Sequence, residues 1–541
     1  MRNLDDRHVF RPRIPVPVVS GSEPPPVRST VLPVDDQWLI VGVMTAGAAM
    51  AATSWPELIR LPLKLGSFVA ATPDSWIPLL IVVMLMAGAL ALEAAGRSEP
   101  RERRAWWVAA AVAIAGVVWF FRAGDVDWYA TPDWQKEWAY HTALHESLSR
   151  GRLPWFLNEI FQDTNRFFAN PETNVAPHAL LLAWLDVPIF IVLQSAALLG
   201  IGLAAAYRLA IDLRLGPVAS LTFLTIFLMN GHLIAHLETG HLQWAGYLLL
   251  PGVLLFVHRA ATGHLGRRTQ AGLALTLALI ELVGAWHVFL WAVIWIGVFV
   301  VLDRSRWRFG ASLALLVAGL SALRVVPALA HFNPDLEFVG SYQRLSILVA
   351  ALVGDPRRAT DGLNWWEYNA FVGWVGFVIV TAGLTAPLSR SRRHSVAALW
   401  APSVAMLVLS TYNIYSWTLF LLPGFESERV ASRLLILGLL GFSLIACVQL
   451  DSWLARQPRS RWRVAALALP GLLLAAQLVT HTNSRRPRPD RGIGPPSTAV
   501  VSERAPDAAY AASVGAGAAL TVVSAGIAML MWRRQDPPLH L

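Results

Sequence analysis

The chain has 541 residues, of which 55% are hydrophobic and 15% are charged, and its net charge is +9. Soluble globular proteins carry about 25% charged residues, so this composition excludes a cytosolic enzyme and a disordered or nucleic-acid-binding protein. The arginines cluster between apolar stretches, where they indicate membrane topology rather than a nucleic-acid partner. The sequence therefore predicts an all-α polytopic membrane protein.

Apolar stretches suited to crossing a membrane follow a Pro- and Arg-containing segment, 1–36, which predicts a disordered cytoplasmic tail. We predict about 14 transmembrane helices, each near the length needed to cross the hydrocarbon core. The predicted spans are 38–54, 76–94, 105–122, 179–207, 217–230, 243–258, 270–284, 286–302, 309–330, 370–388, 395–411, 431–450, 464–480 and 511–532.

Loops rich in arginine alternate with loops that are poor in it, and this alternation predicts the orientation. Arginine-rich loops such as 97–104 and 455–463 are predicted to be cytoplasmic. Since the number of predicted spans is even, both termini are also predicted to be cytoplasmic. Three segments then lie outside, at 123–178, 331–369 and 412–430, and they are rich in Trp and Tyr. These aromatic residues suit either an interfacial belt or a binding site.

The first outside segment contains candidates for acid–base chemistry. Pro132 followed by Asp133 predicts a helix start, because the helix dipole favours a carboxylate in the first turn. Asp133, Glu137 and His141 are spaced by four residues and therefore share one face of that helix. This stripe predicts a general base or the ligands of a divalent cation, Mg²⁺ or Mn²⁺. The alternative is a solvated face of a helix lying on the membrane.

Two shorter patterns suggest contacts with a metal or a phosphate group. Asp125 and Asp127 form an Asp-x-Asp pair upstream of the predicted helix, of a kind that can bind a metal–phosphate group. The predicted short outside turn at 231–242 contributes His232, His236 and His241. These histidines suit a substrate or phosphate contact, a metal pair, or simple hydrogen-bond donors at a helix end.

Charged residues also occur within the predicted spans and at their outer ends. Arg324, Glu281 and His287 lie inside spans, where polar groups usually face a cavity or pair with each other. Arg429 and Arg433 lie one helical turn apart at the start of a span. Guanidinium groups match phosphate oxygens and keep their charge, so this pair predicts a phosphate site, with snorkelling to the interface as the alternative.

Several segments, taken in order, resemble a known family. They are G-R-L-P-W-F (151–156), F-F-A-N-P-E-T (167–173), P-H-A-L-L (177–181), N-G-H…G-H (230–241), W-W-E-Y-N-A-F-V-G (365–373) and L-P-G-F-E-S-E-R-V-A-S-R (422–433). Together with the early acidic loop, their order and spacing resemble the GT-C superfamily of membrane glycosyltransferases, and within it the bacterial YfhO-like branch. The resemblance covers about 105–450, between two extra spans in 37–104 and C-terminal spans in 451–541 that flank an outside Pro- and Arg-rich loop, 482–508.

The resemblance implies an inverting glycosyltransferase of the bacterial cytoplasmic membrane whose active site faces outside. The implied donor is a polyprenyl-phosphate-linked sugar, and the implied acceptor is a hydroxyl of a glycan, a glycolipid or a protein of the cell envelope. The catalytic carboxylate of the superfamily would correspond to Asp133, with Asp125 and Asp127 as rivals. Glu367, in the fifth of these segments, would contact substrate together with the histidines and with Arg324, Arg429 and Arg433. No cofactor is implied beyond the divalent cation.

This chemistry suits the residues independently of the resemblance. One carboxylate base is sufficient to deprotonate the acceptor hydroxyl, and arginines can neutralise the leaving phosphate. Three alternatives remain at this stage: a flippase or other transporter of lipid-linked sugars, an enzyme of the O-antigen ligase or polymerase type, and a non-catalytic scaffold for envelope assembly. Polar residues concentrated near the outer ends of the spans favour the enzyme over the transporter, and the early position of the acidic loop disfavours the ligase type.

Overall fold

A computed structural model gives the fold. It describes residues 132–157, 165–332, 337–354, 365–385, 393–422, 427–456 and 504–533, with shorter pieces at 106, 110, 113–114, 425, 470–471, 473–478, 481 and 501–502. The predicted tail, the predicted spans at 38–54 and 76–94, and the Asp125 and Asp127 pair lie outside these residues.

The described part of the chain is mostly helical, which confirms the all-α prediction. The helices are α1 Pro132–Ser149, α2 Val187–Asp212, α3 Pro217–Met229, α4 Gly231–Thr239, α5 Leu250–Ala261, α6 Arg267–Leu282, α7 Trp286–Val301, α8 Trp307–Leu320, α9 Ala322–His331, α10 Leu345–Val353, α11 Trp365–Tyr368, α12 Gly373–Thr385, α13 Arg393–Leu409, α14 Leu435–Arg456 and α15 Ala508–Arg533. Short 3₁₀ helices cover Pro177–Ala183, Leu242–Leu249, Arg304–Arg306, Leu419–Leu421 and Ala431–Leu434. Two-residue strands, β1 Phe156–Leu157 and β2 Val501–Ser502, pair in antiparallel fashion.

Several of these helices are long and apolar enough to cross a membrane. Within the described residues there are six such segments: Val187–Asp212, Pro217–Leu237, Leu242–Ala261, Trp366–Thr385, Ala431–Arg456 and Ala508–Arg533. The helices over Arg304–Leu320 and Ala322–His331 add a seventh if the bent pair is one span, while α7 is apolar but shorter. These positions agree with predicted spans, and the total of about 14 stays a prediction.

Two regions differ from their predicted form. The predicted turn at 231–242 contains helix α4, because the Asn230 side chain caps it by accepting a hydrogen bond from the Leu233 backbone N–H at 3.0 Å. The predicted span 309–330 is broken at Ser321, where α8 and α9 meet at an angle of 79°. Because of this bend, α9 leaves the axis of α8 and its Arg324 contacts the loop 167–173.

The packing of the helices brings distant parts of the sequence to one place. Helices α3, α12 and α13 pack against α14, and α2, α5 and α6 pack in sequence beside them. Helix α1 packs on the 3₁₀ helix Pro177–Ala183, and α4 packs on both Leu242–Leu249 and α11. As a result, the start of α1, the end of α4, the start of α7, α11 and the 3₁₀ turn Ala431–Leu434 surround one cavity.

Candidate functional site

A cavity of about 410 Å³ unites charged and aromatic residues from the segments singled out in the sequence. Its wall combines three carboxylates, three permanent cations, two histidines and three tryptophans, a mixture typical of a site for a polar ligand. The residues lining it are Asp133, Lys136, Asn170, Pro171, Glu172, His241, Gln243, Trp244, Trp286, His287, Phe332, Trp366, Glu367, Ser427, Arg429 and Arg433. We call it the charged cavity.

Asp133 lies in the first turn of α1, as predicted, and is held by a histidine more than 100 residues away. The Nε2–H of His241 donates to Asp133 Oδ2 at 3.0 Å. Gly240, which ends α4 in the left-handed conformation at φ +103°, makes this contact possible, because a Cβ there would lie 2.3 Å from the Trp134 backbone nitrogen. Burial raises the pKa of Asp133, but hydrogen bonding and charge from His241 outweigh burial and leave the pKa below its ordinary value.

Two more histidines of α4 lie directly behind His241. The Nδ1 atoms of His236 and His241 are 2.6 Å apart, and the His236 ring is stacked on Trp244 with ring centroids 4.2 Å apart. Trp244 Nε1–H donates to His232 Nε2 at 2.9 Å. His232 and His236 are both buried and do not line the charged cavity, so of the three predicted histidines only His241 can touch a ligand there.

Glu367 and Arg433 form a buried ion pair in the wall of the cavity, beside Trp244. Nε and Nη2 of Arg433 donate to Glu367 Oε2 and Oε1, each at 2.7 Å, which is the bidentate geometry of a guanidinium on a carboxylate. The guanidinium also lies 5.2 Å from the centre of the Trp244 ring. Arg433 therefore presents positive charge to the cavity, while its hydrogen-bonding fork is occupied by Glu367.

A second carboxylate–histidine pair stands beside Arg433. His287 Nδ1 lies 3.0 Å from Glu428 Oε2, which also accepts from Trp291 Nε1–H at 2.5 Å. With its Nδ1–H donated to Glu428, the ring keeps an Nε2 lone pair, and the Arg433 Nη1–H lies 3.3 Å away as its donor. His287 lines the charged cavity, and Glu428 is fully buried behind it.

Glu172 and Lys136 form a third pair in the wall. Lys136 Nζ donates to Glu172 Oε2 at 2.7 Å. The Glu172 backbone packs on Gly284, where a Cβ would lie 2.3 Å from the Glu172 carbonyl oxygen, so glycine is needed at that position. Burial raises the pKa of Glu172, but the charge of Lys136 and its hydrogen bond outweigh burial and lower the pKa to about 2. Glu172 is therefore ionised at neutral pH.

Arg429 differs from the other cations of the cavity. It lies outside any helix, before the 3₁₀ turn Ala431–Leu434, and not on the same helical face as Arg433 as the sequence suggested. Its side chain is exposed and has no hydrogen-bond or ion-pair partner among the described residues. Its five N–H donors remain available to an anion that enters the cavity.

Glu137 and His141 share a helix face with Asp133 but are turned into the protein interior. Their side chains are 1% and 2% exposed, and neither lines the charged cavity. Burial raises the pKa of Glu137 well above its ordinary value and lowers that of His141 to about 4, so burial favours the neutral form of each side chain. The Nδ1–H of His141 donates to the Glu137 carbonyl oxygen at 2.8 Å. The described residues include no group of three His, Cys, Asp or Glu side chains arranged for a metal ion.

Arg324 is fully buried in the protein interior and does not line the charged cavity. Its guanidinium donates to the carbonyl oxygens of Phe167, Phe168, Asn170 and Thr173 and to the Thr173 hydroxyl. Glu281 lies 3.9 Å from its Nε. Arg324 thus fixes the loop that carries Glu172 and has no free donor fork to offer a phosphate group.

Sequence reasoning missed four of the groups that shape the cavity: Lys136, Glu172, Trp244 and Glu428. Glu172 and Glu428 lie within the segments 167–173 and 422–433, which carry the resemblance described above. The sequence therefore drew attention to these segments but not to the roles of the two glutamates. Lys136 is one of only two lysines in the sequence, beside Lys64, and this rarity was the one signal that could have drawn attention to it. The role of Trp244 depends on stacking between elements, for which the sequence contains no pattern.

The fold and the cavity define an all-α protein that has several helices able to span a membrane and a charged, aromatic-lined cavity between them. Comparison of the chain with protein-family models, with curated proteins and with solved structures finds no match.

Proposed function

We propose that this chain is an inverting glycosyltransferase that transfers a sugar from a polyprenyl-phosphate donor to a hydroxyl of a cell-envelope glycan, lipid or protein. The proposal includes the GT-C-like architecture, with about 14 spans, that the resemblance implies. It also includes a bacterial cytoplasmic membrane with the charged cavity facing outside.

One observation carries the proposal: an ionised carboxylate shares one cavity with an arginine that has no partner among the described residues. Asp133 is held ionised by His241, and the exposed side chain of Arg429 lines the same space. Displacement of a phosphate from an anomeric carbon passes through an oxocarbenium-like state, in which the acceptor hydroxyl becomes acidic. Asp133 would remove its proton, and Arg429 together with Arg433 would stabilise the charge that develops on the departing phosphate.

The rest of the cavity wall suits a sugar between these two groups. Trp244, Trp286 and Trp366 offer apolar ring faces, and Glu172, Glu367 and Gln243 offer oxygen acceptors for hydroxyl groups. A cavity of about 410 Å³ is at the small end of ligand sites, which fits a single sugar and its phosphate, with the lipid chain remaining outside. A divalent cation is not needed for this scheme, because arginines supply the positive charge.

Transfer of label from radiolabelled polyprenyl-phosphate sugars by the purified protein tests the proposal. Asp133→Asn is nearly isosteric and its amide oxygen can still accept from His241, so the fold should survive while turnover falls by about 10²–10⁴-fold. Asp125→Asn and Asp127→Asn are the rival variants. Asp186→Asn, an exposed acid at the start of α2 that does not line the cavity, is the matched control. Full activity in all three of the variants at 125, 127 and 133 would contradict the proposal.

Cysteine labelling tests the proposed orientation. In a Cys447→Ala background, a cysteine at Ser149, an exposed residue at the end of α1, should react with an impermeant reagent in intact cells. A cysteine at Ser391, in a predicted cytoplasmic loop, should react only after the membrane is permeabilised. The opposite pattern would place the charged cavity on the cytoplasmic side.

A further inference from the structure

Two buried histidine rings meet nitrogen to nitrogen behind the proposed base. His236 Nδ1 and His241 Nδ1 are 2.6 Å apart, a distance at which one of the two atoms carries a hydrogen that the other accepts. The other nitrogen of each ring faces a carboxylate. His241 Nε2 lies 3.0 Å from Asp133 Oδ2, and His236 Nε2 lies 4.0 Å from Glu367 Oε2. The four groups thus form a line through the cavity wall.

The two carboxylates at the ends of this line indicate how many protons the two histidine rings hold. If both rings are neutral and His241 donates to Asp133, His236 donates at Nδ1 and its Nε2 lone pair faces the Glu367 carboxylate. That nitrogen is buried and has no hydrogen-bond partner among the described residues, so the neutral arrangement leaves a lone pair opposite a negative charge. If His241 carries both hydrogens, His236 accepts at Nδ1 and its Nε2–H points at Glu367. Only this second arrangement gives every nitrogen a complementary neighbour.

We propose that His236 and His241 together hold one proton more than two neutral rings, and that this shared charge keeps the Asp133 carboxylate ionised and aimed at the acceptor. The inference rests on the proposed role of Asp133 as the base. His236 touches no ligand in this scheme. It is a positioning residue that acts through His241.

The surroundings of the pair favour the extra proton on His241 rather than on His236. Charged and titratable groups face the two rings from every neighbouring element: Asp133 of α1, Glu172 of the loop before α2, His232 of α4, His287 of α7, Glu367 of α11 and Arg433 of the 3₁₀ turn. Asp133 and Glu172 attract a charge on His241, whereas Arg433 repels a charge placed on His236.

Charge balance points the same way. Among the described residues, the cavity and its immediate wall contain four carboxylates, Asp133, Glu172, Glu367 and Glu428, but three permanent cations, Lys136, Arg429 and Arg433. A shared proton on the histidine pair supplies the fourth positive charge. Buried charges in a cavity of low dielectric are stable when they are paired in this way.

The pH dependence of kcat/KM tests the proposal with three variants. Loss of the shared proton should appear as an alkaline limb, where the rate falls as the pH rises. His236→Phe keeps an aromatic ring beside Trp244 but removes the acceptor for His241 Nδ1–H, so the limb should move to lower pH by about one to two units. His236→Asn restores an acceptor oxygen and should return the limb close to its wild-type position. An unchanged limb in His236→Phe would overturn the proposal.

His232→Phe is the matched control, because His232 lies one turn earlier on α4 and is equally buried but makes no hydrogen bond to His241. Its limb should coincide with that of the wild type, and an equal displacement in His232→Phe and His236→Phe would overturn the proposal. If transfer occurs, Asp133→Asn is inactive and the limb of His236→Phe is unchanged, this inference fails while the proposed function stands.

A second readout does not depend on activity. In full-length protein with ¹⁵N-labelled histidine, ordinary histidines are neutral at about pH 8. One ring should nevertheless show both nitrogens protonated, and its signal should disappear in His241→Gln. A spectrum that contains only neutral rings at that pH would overturn the inference even if His236→Phe fails to fold. The charged ring present in a protein that transfers no sugar would support the inference while contradicting the proposed function.

Discussion

The Glu367–Arg433 pair provides a quantitative test of how the charged cavity is held together. Glu367→Met removes both 2.7 Å hydrogen bonds and leaves the guanidinium buried, with Glu428 3.9 Å away as its nearest remaining carboxylate. Because both side chains are only 9% exposed, water from the cavity can replace the lost partner only in part. Removal of one member of a buried ion pair costs about 3–5 kcal/mol, so the free energy of unfolding should fall by about that amount.

The double variant Glu367→Met, Arg433→Met separates the cost of a stranded charge from the cost of changed packing. Glu428 keeps its contacts with His287 and Trp291, so removal of Arg433 strands no other charge, although His287 Nε2 loses its donor at 3.3 Å. Replacement of a buried ion pair by apolar side chains of similar volume is often close to neutral. The double variant should therefore be clearly more stable than Glu367→Met alone, although without transferase activity.

Unfolding in mixed detergent micelles, followed by the apparent melting temperature and by denaturant titration, measures both effects. Asp212→Asn, which breaks a partly exposed pair with Arg259 Nε at 2.7 Å, is the matched control and should change stability by about 1 kcal/mol or less. If the double variant is as unstable as the sum of the two single variants, the stranded charge is not the source of the cost and the reasoning is refuted.

Two further predictions concern the cations of the cavity. Arg429→Lys keeps the charge but loses the guanidinium fork, so the KM for the donor should rise about tenfold while the melting temperature stays unchanged. Arg433→Lys should lower both the use of the donor and the melting temperature. Wild-type kinetics in both variants would mean that neither arginine binds phosphate. Because the folded-state pKa of Glu172 is lowered to about 2, its charge stabilises the fold above its ordinary value of 4.5, and this contribution is lost as the pH falls toward 2. In Lys136→Met, burial of Glu172 is no longer offset by the lysine charge, so the folded-state pKa of Glu172 should rise. The variant should melt at a lower temperature than the wild type at neutral pH, but its melting temperature should fall less between about pH 5 and pH 3, and identical melting curves at every pH would contradict this.

The sequence alone predicted the local features of the site. The Pro132–Asp133 start of α1, the helical character of the chain and the candidate residues His241, Arg429 and Arg433 all follow from patterns within a few residues of each other. These patterns depend on helix dipoles, apolar run lengths and side-chain chemistry, each of which is encoded locally. Asp133, His241, Arg429 and Arg433 all line the charged cavity.

The sequence could not show which face of a helix meets which neighbour. Asp133, Glu137 and His141 share one stripe, yet only Asp133 lines the cavity. Glu137 and His141 face the protein interior, where the His141 ring packs against Phe190 of α2. In the same way, Arg324 has the chemistry of a phosphate ligand, but the bend at Ser321 directs it to backbone carbonyls. Both outcomes are decided by contacts between elements far apart in the chain.

The buried Arg324 also has a consequence for biogenesis. An arginine placed in a membrane-spanning helix costs about 2.5–3.5 kcal/mol on insertion unless polar partners receive it. Here the partners are carbonyl oxygens from a loop synthesised more than 150 residues earlier. Helices α8 and α9 can therefore hold Arg324 buried only after that early loop has docked, so the packing of this later part of the chain depends on a segment synthesised well before it.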